Sequence, residues 1–257
     1  MEFPESFIYA GPAFSAPEQP VPAPYFRRQF RLERVPEQTE LLICGIGFYE
    51  LYVNGQRITR GRLAPYISSP DVAVYYDSYD ITPLLKIGEN VLGVWLGNGF
   101  QNNPGGYVWD FDKARFRGAP RFALRLDECS GEKRQAILES DKAFLTAPSP
   151  LLSDDYRVGE TYDARKERPD WLGAGYAVRR MEACALRRAS AWGTRSSHDR
   201  TCYDRKGAAA CFHPKGGRWI SVRFWREQRG RVPSACDGRG RTDNYDAPRR
   251  ASDRRKA

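Results

Sequence analysis

The residues best suited to metal or thiol chemistry lie close together in the last third of the chain. The stretch "SSHDRTCYDRKGAAACFHPKGG" (196–217) holds both histidines and two of the six cysteines. Structural zinc sites favour two closely spaced ligand pairs, whereas successive cysteines from Cys184 onward are 18, 9 and 25 residues apart. The sequence therefore predicts no metal site and no cofactor, although the candidate ligands would be Cys184, His198, Cys202, Cys211 and His213.

Acid–base chemistry has a weaker set of candidates. Asp110 and Asp112 are a spaced pair of carboxylates, but both lie in the segment "NGFQNNPGGYVWDFDK" (98–113), which we expect to be a surface loop. No glycine-rich phosphate-binding motif is present. We therefore predict no catalytic residue in this chain.

The excess of positive over negative charge lies entirely in the C-terminal part of the chain. Residues 1–176 carry 20 Lys and Arg against 24 Asp and Glu, whereas residues 177–257 carry 21 against 8. Such a tail could contact phosphates, with Trp219, Phe224 and Trp225 stacking on bases. However, it has no named nucleic-acid-binding motif and only five Val, Leu or Ile after Ala177. We expect it to be disordered and predict no nucleic-acid partner.

No segment has the features of a membrane or export signal. The opening "MEFPESFIYAGPAF" lacks a basic start followed by a long apolar run. No apolar run approaches the roughly 20 residues that a membrane-spanning helix needs. These features predict a soluble, cytoplasmic protein with reduced thiols and no membrane partner.

Short apolar runs separated by turn signals cover residues 24–171. Asn54-Gly55 lies between apolar runs and predicts a type I′ hairpin turn. "GEKRQAILESDKAFLTA" (131–147) reads as a strand pair around a Ser-Asp turn, and "ITPLLK" (81–86) as a short helical turn. The other predicted strands are 25–32, 40–58 in two runs, 71–81, 90–99 and 120–128. This spacing predicts an all-β fold, an antiparallel, jelly-roll-like β-sandwich. It follows a Pro-rich segment (1–23) and precedes the basic tail (172–257).

Three segments resemble the N-terminal β-sandwich domain of bacterial α-L-rhamnosidases. They are "GFYELYVNGQRI", "LAPYISSPDVAVYYDSYDITPLLKIGENVLGVWLGNGF" and "LLSDDYRVGETYDARKE". The resemblance implies a parent enzyme that hydrolyses terminal α-L-rhamnose with inversion. It also implies that the catalytic carboxylates, which an inverting glycosidase holds about 6.5–9.5 Å apart, belong to a later (α/α)₆ barrel. We expect the chain to stop before that barrel, and the missing catalytic domain to be its natural partner.

The resemblance also assigns roles to individual residues. The motif "GE.YDAR" implies structural or inter-domain roles, as does the hairpin turn at Asn54 and Gly55. Weak contact with rhamnose-containing glycosides would use aromatic rings and amides near the loops. The motif residues are Glu160, Tyr162, Asp163 and Arg165, and the candidate sugar contacts are Asn98, Asn102, Tyr107, Trp109 and Tyr156.

The tail has a second explanation, a change of reading frame. Read one nucleotide later, the codons for Arg180 to Ala185 can give "GWKPAL", in which Met181-Glu182 forces the Trp. Three further segments, 198–206, 223–238 and 242–256, can likewise be read as strings that resemble the rhamnosidase continuation. We infer a frame change between about Trp171 and Arg179. The chain would then be a truncated, non-catalytic rhamnosidase fragment. The alternative is a stand-alone carbohydrate-binding module whose basic tail contacts anionic polymers.

Overall fold

The architecture comes from a computed structural model that describes residues 6–59, 63–65, 73–105, 110–188, 201–204, 208–211 and 221–223. All of these lie in the first of two units, Met1–Phe224. The second unit, Trp225–Ala257, falls outside the described residues. Helix is confined, within the described part, to four short 3₁₀ turns at Thr82–Leu84, Phe111–Lys113, Ala164–Lys166 and Val178–Arg180.

The first sheet, the six-stranded sheet, is antiparallel throughout. In spatial order it contains β13 (Glu182–Ala183), β10 (Leu145–Pro148), β2 (Pro24–Leu32), β7 (Gly88–Leu96), β4 (Tyr49–Val53) and β5 (Gln56–Arg57). Its central pair, β2 and β7, is joined along the full length of both strands.

The second sheet, the nine-stranded sheet, is antiparallel except at one pair. In spatial order it contains β14 (Ala185–Arg188), β1 (Ser6–Tyr9), β8 (Arg121–Ser130), β3 (Thr39–Ile46), β6 (Ala73–Tyr79), β15 (Thr201–Asp204), β16 (Ala208–Cys211) and β17 (Ser221–Arg223), and β9 (Lys133–Glu139) pairs with β8. β15 lies parallel to β6. A separate hairpin joins β11 (Leu151–Asp155) and β12 (Gly159–Tyr162).

The core lies between the two sheets, as expected for a sandwich. Phe26 of β2 meets Phe122 of β8 edge to face, with ring centroids 5.1 Å apart, and Phe144 meets Phe122 at 5.8 Å. All three rings are fully buried. Burial of one such side chain stabilises a fold by about 1.5–3 kcal/mol, so this aromatic triad is a main tie between the sheets. The predicted all-β fold is confirmed.

Both faces of β3 are apolar. Leu41 and Ile43 belong to the cluster between the sheets, and Leu42 and Cys44 belong to a second cluster. Because successive strand residues point to opposite faces, this second cluster lies on the outer face of the nine-stranded sheet.

The predicted hairpin turn at Asn54-Gly55 is confirmed. Asn54 has φ 48° and Gly55 has φ 85°, and β4 pairs with β5 across them. A type I′ turn needs positive φ at both central residues. Asn54 also donates through Nδ2 to the carbonyl of Leu84 (2.7 Å) and accepts from the amide of Val91 (2.9 Å), so the turn is tied to the neighbouring strand.

One predicted strand and one predicted pairing were wrong. The apolar run 40–53 is not one strand: it breaks at Gly47 and Phe48, and β3 and β4 lie in different sheets. Gly47 has φ 127°, and a Cβ there would lie 2.4 Å from the carbonyl oxygen of Gly97. Likewise, β9 and β10 do not pair with each other: β9 pairs with β8 and β10 with β2. The chain changes sheet at both places.

The sheets also include strands outside residues 24–171. β1 pairs with β8 and β14, and β13 pairs with β10. Cys184, between β13 and β14, is buried in the core. The predicted limits of the sandwich therefore do not coincide with the ends of its sheets. In the described part of the chain, no helix is long and apolar enough to cross a membrane.

Replacing Asn90 tests the polar support of the hairpin. Its fully buried amide bonds Asn54 and the Lys86 and Gly88 main chain. Because Asn90→Ala leaves these groups without partners, we expect it to lower the free energy of unfolding by about 2 kcal/mol in denaturant titrations. Gln135→Ala, at an exposed position of β9, should change it by less than about 0.5 kcal/mol. Equal effects of the two substitutions would contradict this role.

Candidate functional site

Three of the sugar-contact residues predicted from the sequence, Asn98, Asn102 and Tyr156, lie in or beside the segment that follows β7. Its start is fixed by Asp154 of β11, whose carboxylate accepts from the main-chain amide of Asn98 (2.6 Å) and from its Nδ2 (2.6 Å). A Cβ on Gly97 would lie 2.5 Å from Asp154 Oδ2. The glycine therefore lets the carboxylate approach the main chain closely.

Asn98 and Asn102 are both buried, and their amides are directed into the protein. Asn98 Nδ2 also donates to the carbonyl of Val21 (2.7 Å), and its Oδ1 accepts from Asn102 Nδ2 (2.8 Å). Asn102 Oδ1 accepts from the amide of Ser15 (3.1 Å). Amides used in this way hold the N-terminal segment against the loop. The geometry supports a structural role, and sugar contact by these two residues stays a prediction.

The prediction of a surface loop over 98–113 is wrong for the described residues 98–103, most of which are buried. Gln101 and Asn103 are buried as well as Asn98 and Asn102. Asp110 is exposed and pairs with Lys113 at 3.3 Å, but Asp112 is only half-exposed and packs against Gly105. The amides of Asn98, Gln101 and Asn102 donate to main-chain carbonyls of neighbouring segments.

Enclosure of Asp154 has an electrostatic consequence. Desolvation raises the pKa of its carboxyl to about 6, opposed by hydrogen bonds from Asn98 and from the amide of Gly99 and assisted by the charge of Glu160. The next residue, Asp155, is also buried; it accepts from Asn103 Nδ2 at 3.2 Å and from the amide of Arg157 at 2.7 Å. These two carboxylates therefore hold loops in place.

Five half-buried aromatic rings form a group around Tyr156, which we call the loop aromatic cluster. Tyr156 lies 4.5 Å from Phe100 and 6.4 Å from Phe111, between ring centroids. The members are Phe48, Phe100, Phe111, Phe116 and Tyr156. Arg157 lies 5.7 Å from the Tyr156 ring centroid and donates to its hydroxyl at 3.1 Å. Tyr107 and Trp109, the other predicted aromatic contacts, lie outside the described residues.

The "GE.YDAR" motif forms the end of the β11–β12 hairpin and the turn after it. Asp163 accepts from the amide of Arg165 and from its Nε (2.8 Å) and Nη2 (3.0 Å), and this pair lowers the pKa of the aspartate. The Tyr162 hydroxyl donates to Glu167 at 2.8 Å, and Glu160 is exposed. These contacts stabilise a local turn, and the proposed structural role stays a prediction.

The thiols do not assemble a metal site in the described part of the chain. Cys184 is buried and directs its Sγ toward the carbonyl of Asp141 at 3.5 Å. Cys202 and Cys211 lie in β15 and β16, where Cys202 faces Ala210 and Cys211 faces Thr201 in the strand register. His198 and His213 lie outside the described residues.

Sequence reasoning missed a polar site on the outer face of the six-stranded sheet. Arg27 of β2 is 2% exposed, and its guanidinium donates to the carbonyls of Trp171 (3.0 Å) and Gly173 (2.8 Å). Because an arginine within an amphipathic strand is typical of a solvated face, its type carried no signal. The signal available was Gly93, a glycine inside a strand, which often marks a close approach of another segment.

Comparison with known proteins gives this architecture a family. Residues 34–199 match the family described as the alpha-L-rhamnosidase N-terminal domain. The chain belongs to this family. The match extends beyond the predicted limit at residue 171 and includes the positions of β13 and β14.

Curated relatives agree with this assignment. An alpha-L-rhamnosidase of Formosa agariphila is 34% identical over 173 residues, which are 62% of this chain and 17% of the relative. One from Streptomyces avermitilis is 30% identical over 151 residues, covering 58% and 14%. The chain thus spans about one sixth of the length of these relatives.

Solved structures show the same sandwich. The Streptomyces avermitilis alpha-L-rhamnosidase complexed with L-rhamnose matches with a TM-score of 0.58 and 28% identity, over 64% of this chain and 16% of that one. The alpha-L-rhamnosidase of Dictyoglumus thermophilum matches with a TM-score of 0.59 and 25% identity, over 72% and 21%. The predicted resemblance to rhamnosidases is therefore confirmed.

The pKa of Asp154 predicts a pH dependence of stability. The folded chain keeps this proton up to about pH 6, whereas the unfolded chain releases it near pH 4. The free energy of unfolding should therefore fall as pH rises from 4 to 7, by at most about 3 kcal/mol from this group. In Asp154→Asn this contribution is absent, so denaturant titrations should show that the wild type loses more stability than the variant over this range.

Asp163→Asn provides the control for that titration. The hydrogen bond from Arg165 lowers the pKa of its half-buried carboxyl, so its contribution is lost only as pH falls below about 4. The difference in free energy of unfolding between this variant and the wild type should stay constant from pH 4 to 7. A profile for Asp154→Asn parallel to wild type would contradict the assigned environment.

Proposed function

We propose that the chain is a fragment of an α-L-rhamnosidase in which this sandwich is a non-catalytic accessory domain. The observation that carries the proposal is the restriction of the match to the N-terminal domain, since the matched residues make up only 17% of the first relative. The parent reaction is hydrolysis of terminal α-L-rhamnosyl bonds, with the general acid and base on the barrel that follows in the parent enzyme.

The chemistry of the described carboxylates supports this assignment. Asp154 and Asp155 are held by amide donors of adjacent loops, and Asp127 pairs with Arg125 at 2.7 Å within a strand. An inverting pair must face one another across a bound sugar with space for water. Carboxylates bonded to their own loops and strands serve the fold instead.

A second candidate function, carbohydrate binding by the sandwich alone, is favoured by the loop aromatic cluster. Half-buried rings beside a loop can stack on the apolar face of a pyranose. Tyr156 is the described member predicted to make that contact. Arg157 contacts the same ring, so a sugar would have to displace it. The basic tail would then contact anionic polymers.

One experiment separates the two functions. The purified full chain is titrated with L-rhamnose by calorimetry and assayed with an aryl α-L-rhamnoside. The accessory-domain proposal expects neither heat of binding nor hydrolysis. Binding that is reduced at least tenfold in Tyr156→Ala but retained in Tyr162→Ala would instead support the binding module, because Tyr162 is exposed and lies outside the cluster. Hydrolysis by the wild-type chain would contradict both functions.

We also propose that a one-nucleotide frame change between about Trp171 and Arg179 produced the basic tail. Its arginine-rich, aliphatic-poor composition and the four decodable strings support this origin. β13 and β14 follow the proposed change, and Cys184 between them is buried. Short edge strands pair through main-chain groups, which almost any sequence supplies, so their presence is compatible with a translated tail.

Sequencing the coding DNA tests the frame change. The frame one nucleotide later, read from the Trp171 codon onward, should encode "GWKPAL" at the codons for 180–185, followed by the other three strings in order. Every pair of codons for Met181-Glu182 gives TGG when read one nucleotide later, so the Trp is fixed. The remaining positions of the four strings therefore carry the test. If that frame encodes unrelated residues, the proposal is wrong.

A further inference from the structure

The outer face of the six-stranded sheet holds a segment of the same chain in a fitted site. Arg27 and Gly93 are direct cross-strand partners on β2 and β7. Above them lie Trp171, Leu172 and Gly173, which we call the strap. The strap follows the "GE.YDAR" turn at the point where the chain leaves the β11–β12 hairpin.

The strap lies in contact with Gly93. A Cβ built at this glycine would lie 2.1 Å from Leu172 Cδ2 and 2.8 Å from Trp171 Cη2. Real side chains never approach so closely, so even alanine at this position would displace the strap. Gly93 therefore provides the space in which the strap lies.

Arg27 supplies the polar half of the site. Its Nε donates to the carbonyl of Trp171 and its Nη2 to the carbonyl of Gly173. Nη2 also donates to Gln29 Oε1 at 2.9 Å, and Gln29 Nε2 in turn donates to Glu89 at 2.7 Å. The two strap carbonyls receive charge-assisted bonds, which are stronger than bonds between neutral groups.

Aromatic rings complete the site on both sides. Trp171 stacks on Tyr25, with ring centroids 4.3 Å apart and planes inclined by 20°, and meets Tyr52 edge to face at 5.9 Å. Tyr25 is in turn 5.2 Å from Trp95. The site therefore recognises an aromatic side chain, an aliphatic side chain and two main-chain carbonyls.

We propose that Arg27 and Gly93 form a docking site for the strap that fixes the path of the chain across the outer face of the six-stranded sheet, between the β11–β12 hairpin and β13. The occupant is the chain's own Trp171–Gly173 segment. Arg27 is a positioning residue. It holds the strap through two main-chain carbonyls, and we expect that loss of these bonds releases the strap without unfolding the sheet beneath it.

Hydrogen exchange on the full chain tests the proposal. The amides of Gly173 and Tyr176 bond within the strap region, to Asp170 (2.7 Å) and Gly173 (3.2 Å). In Arg27→Gln, which loses the paired donors, we expect these two amides to exchange about tenfold faster. Amides of β3 should keep the wild-type rate, because they lie in the nine-stranded sheet.

Two matched controls accompany this variant. Arg28→Gln removes the neighbouring guanidinium, which donates to the carbonyl of Ala143 at 3.3 Å instead of to the strap, and should leave strap exchange unchanged. Gly93→Ala should accelerate strap exchange as Arg27→Gln does. Gly175→Ala places its methyl in open space and should not.

Each outcome supports or overturns the proposal. Faster strap exchange in Arg27→Gln and Gly93→Ala, with β3 protected, supports it. If Arg27→Gln also accelerates exchange in β3, the Gly93→Ala variant decides between the two explanations. Faster exchange of the strap amides alone in Gly93→Ala supports the docking site. Unchanged strap exchange in Gly93→Ala overturns the proposal. Simultaneous loss of strap and β3 protection in both variants also overturns it, since the strap would then be inseparable from the core.

Discussion

Contact between the two sheets through Phe26, Phe122 and Phe144 is the interaction on which the remaining structure depends. These fully buried rings come from both layers and meet edge to face. A sheet of this kind is stable only when its apolar face is covered. The chain must therefore cross between layers repeatedly, and the Gly47 crossing is where β3 becomes β4. At that crossing any side chain would meet the Gly97 carbonyl.

Local patterns were sufficient to locate the strand-forming segments between residues 25 and 147 and the Asn54-Gly55 turn, whereas β1 and the strands from β11 onward were not predicted. Asn54-Gly55 has a turn geometry that few other residue pairs adopt, and the Thr82–Leu84 turn was expected at 81–86. Which strands pair was not predictable in the same way. The run 40–53 stays apolar through Gly47, so nothing local separates one long strand from two strands in different layers. That difference is decided by contacts with Gly97 and Pro120, which lie far along the chain.

In the candidate site, too, the sequence indicated which residues to consider but not how their side chains are oriented. Residue type drew attention to Asn98, Asn102 and Tyr156, which the structure places around one loop, and their contact with sugar stays a prediction. Their orientation could not be derived from the sequence, because it depends on partners at distant positions. The Asn98 amide is fixed by Asp154 and the Asn102 amide by Ser15. A buried amide whose donors are used internally and an exposed amide that awaits a hydroxyl have identical sequence signatures.

The strap on Gly93 also bears on the origin of the tail. A side chain that fills the space left by a glycine of another strand indicates that the two residues were selected together. Leu172 meets Gly93 in this way, and the Trp171 ring lies parallel to Tyr25. Residues translated out of frame would match such a site only by coincidence. The fit therefore favours a frame change C-terminal to Gly173, within the later part of the interval between Trp171 and Arg179. Under the proposed frame change, the strap therefore belongs to the parent sequence, and the change lies between Gly173 and Arg179.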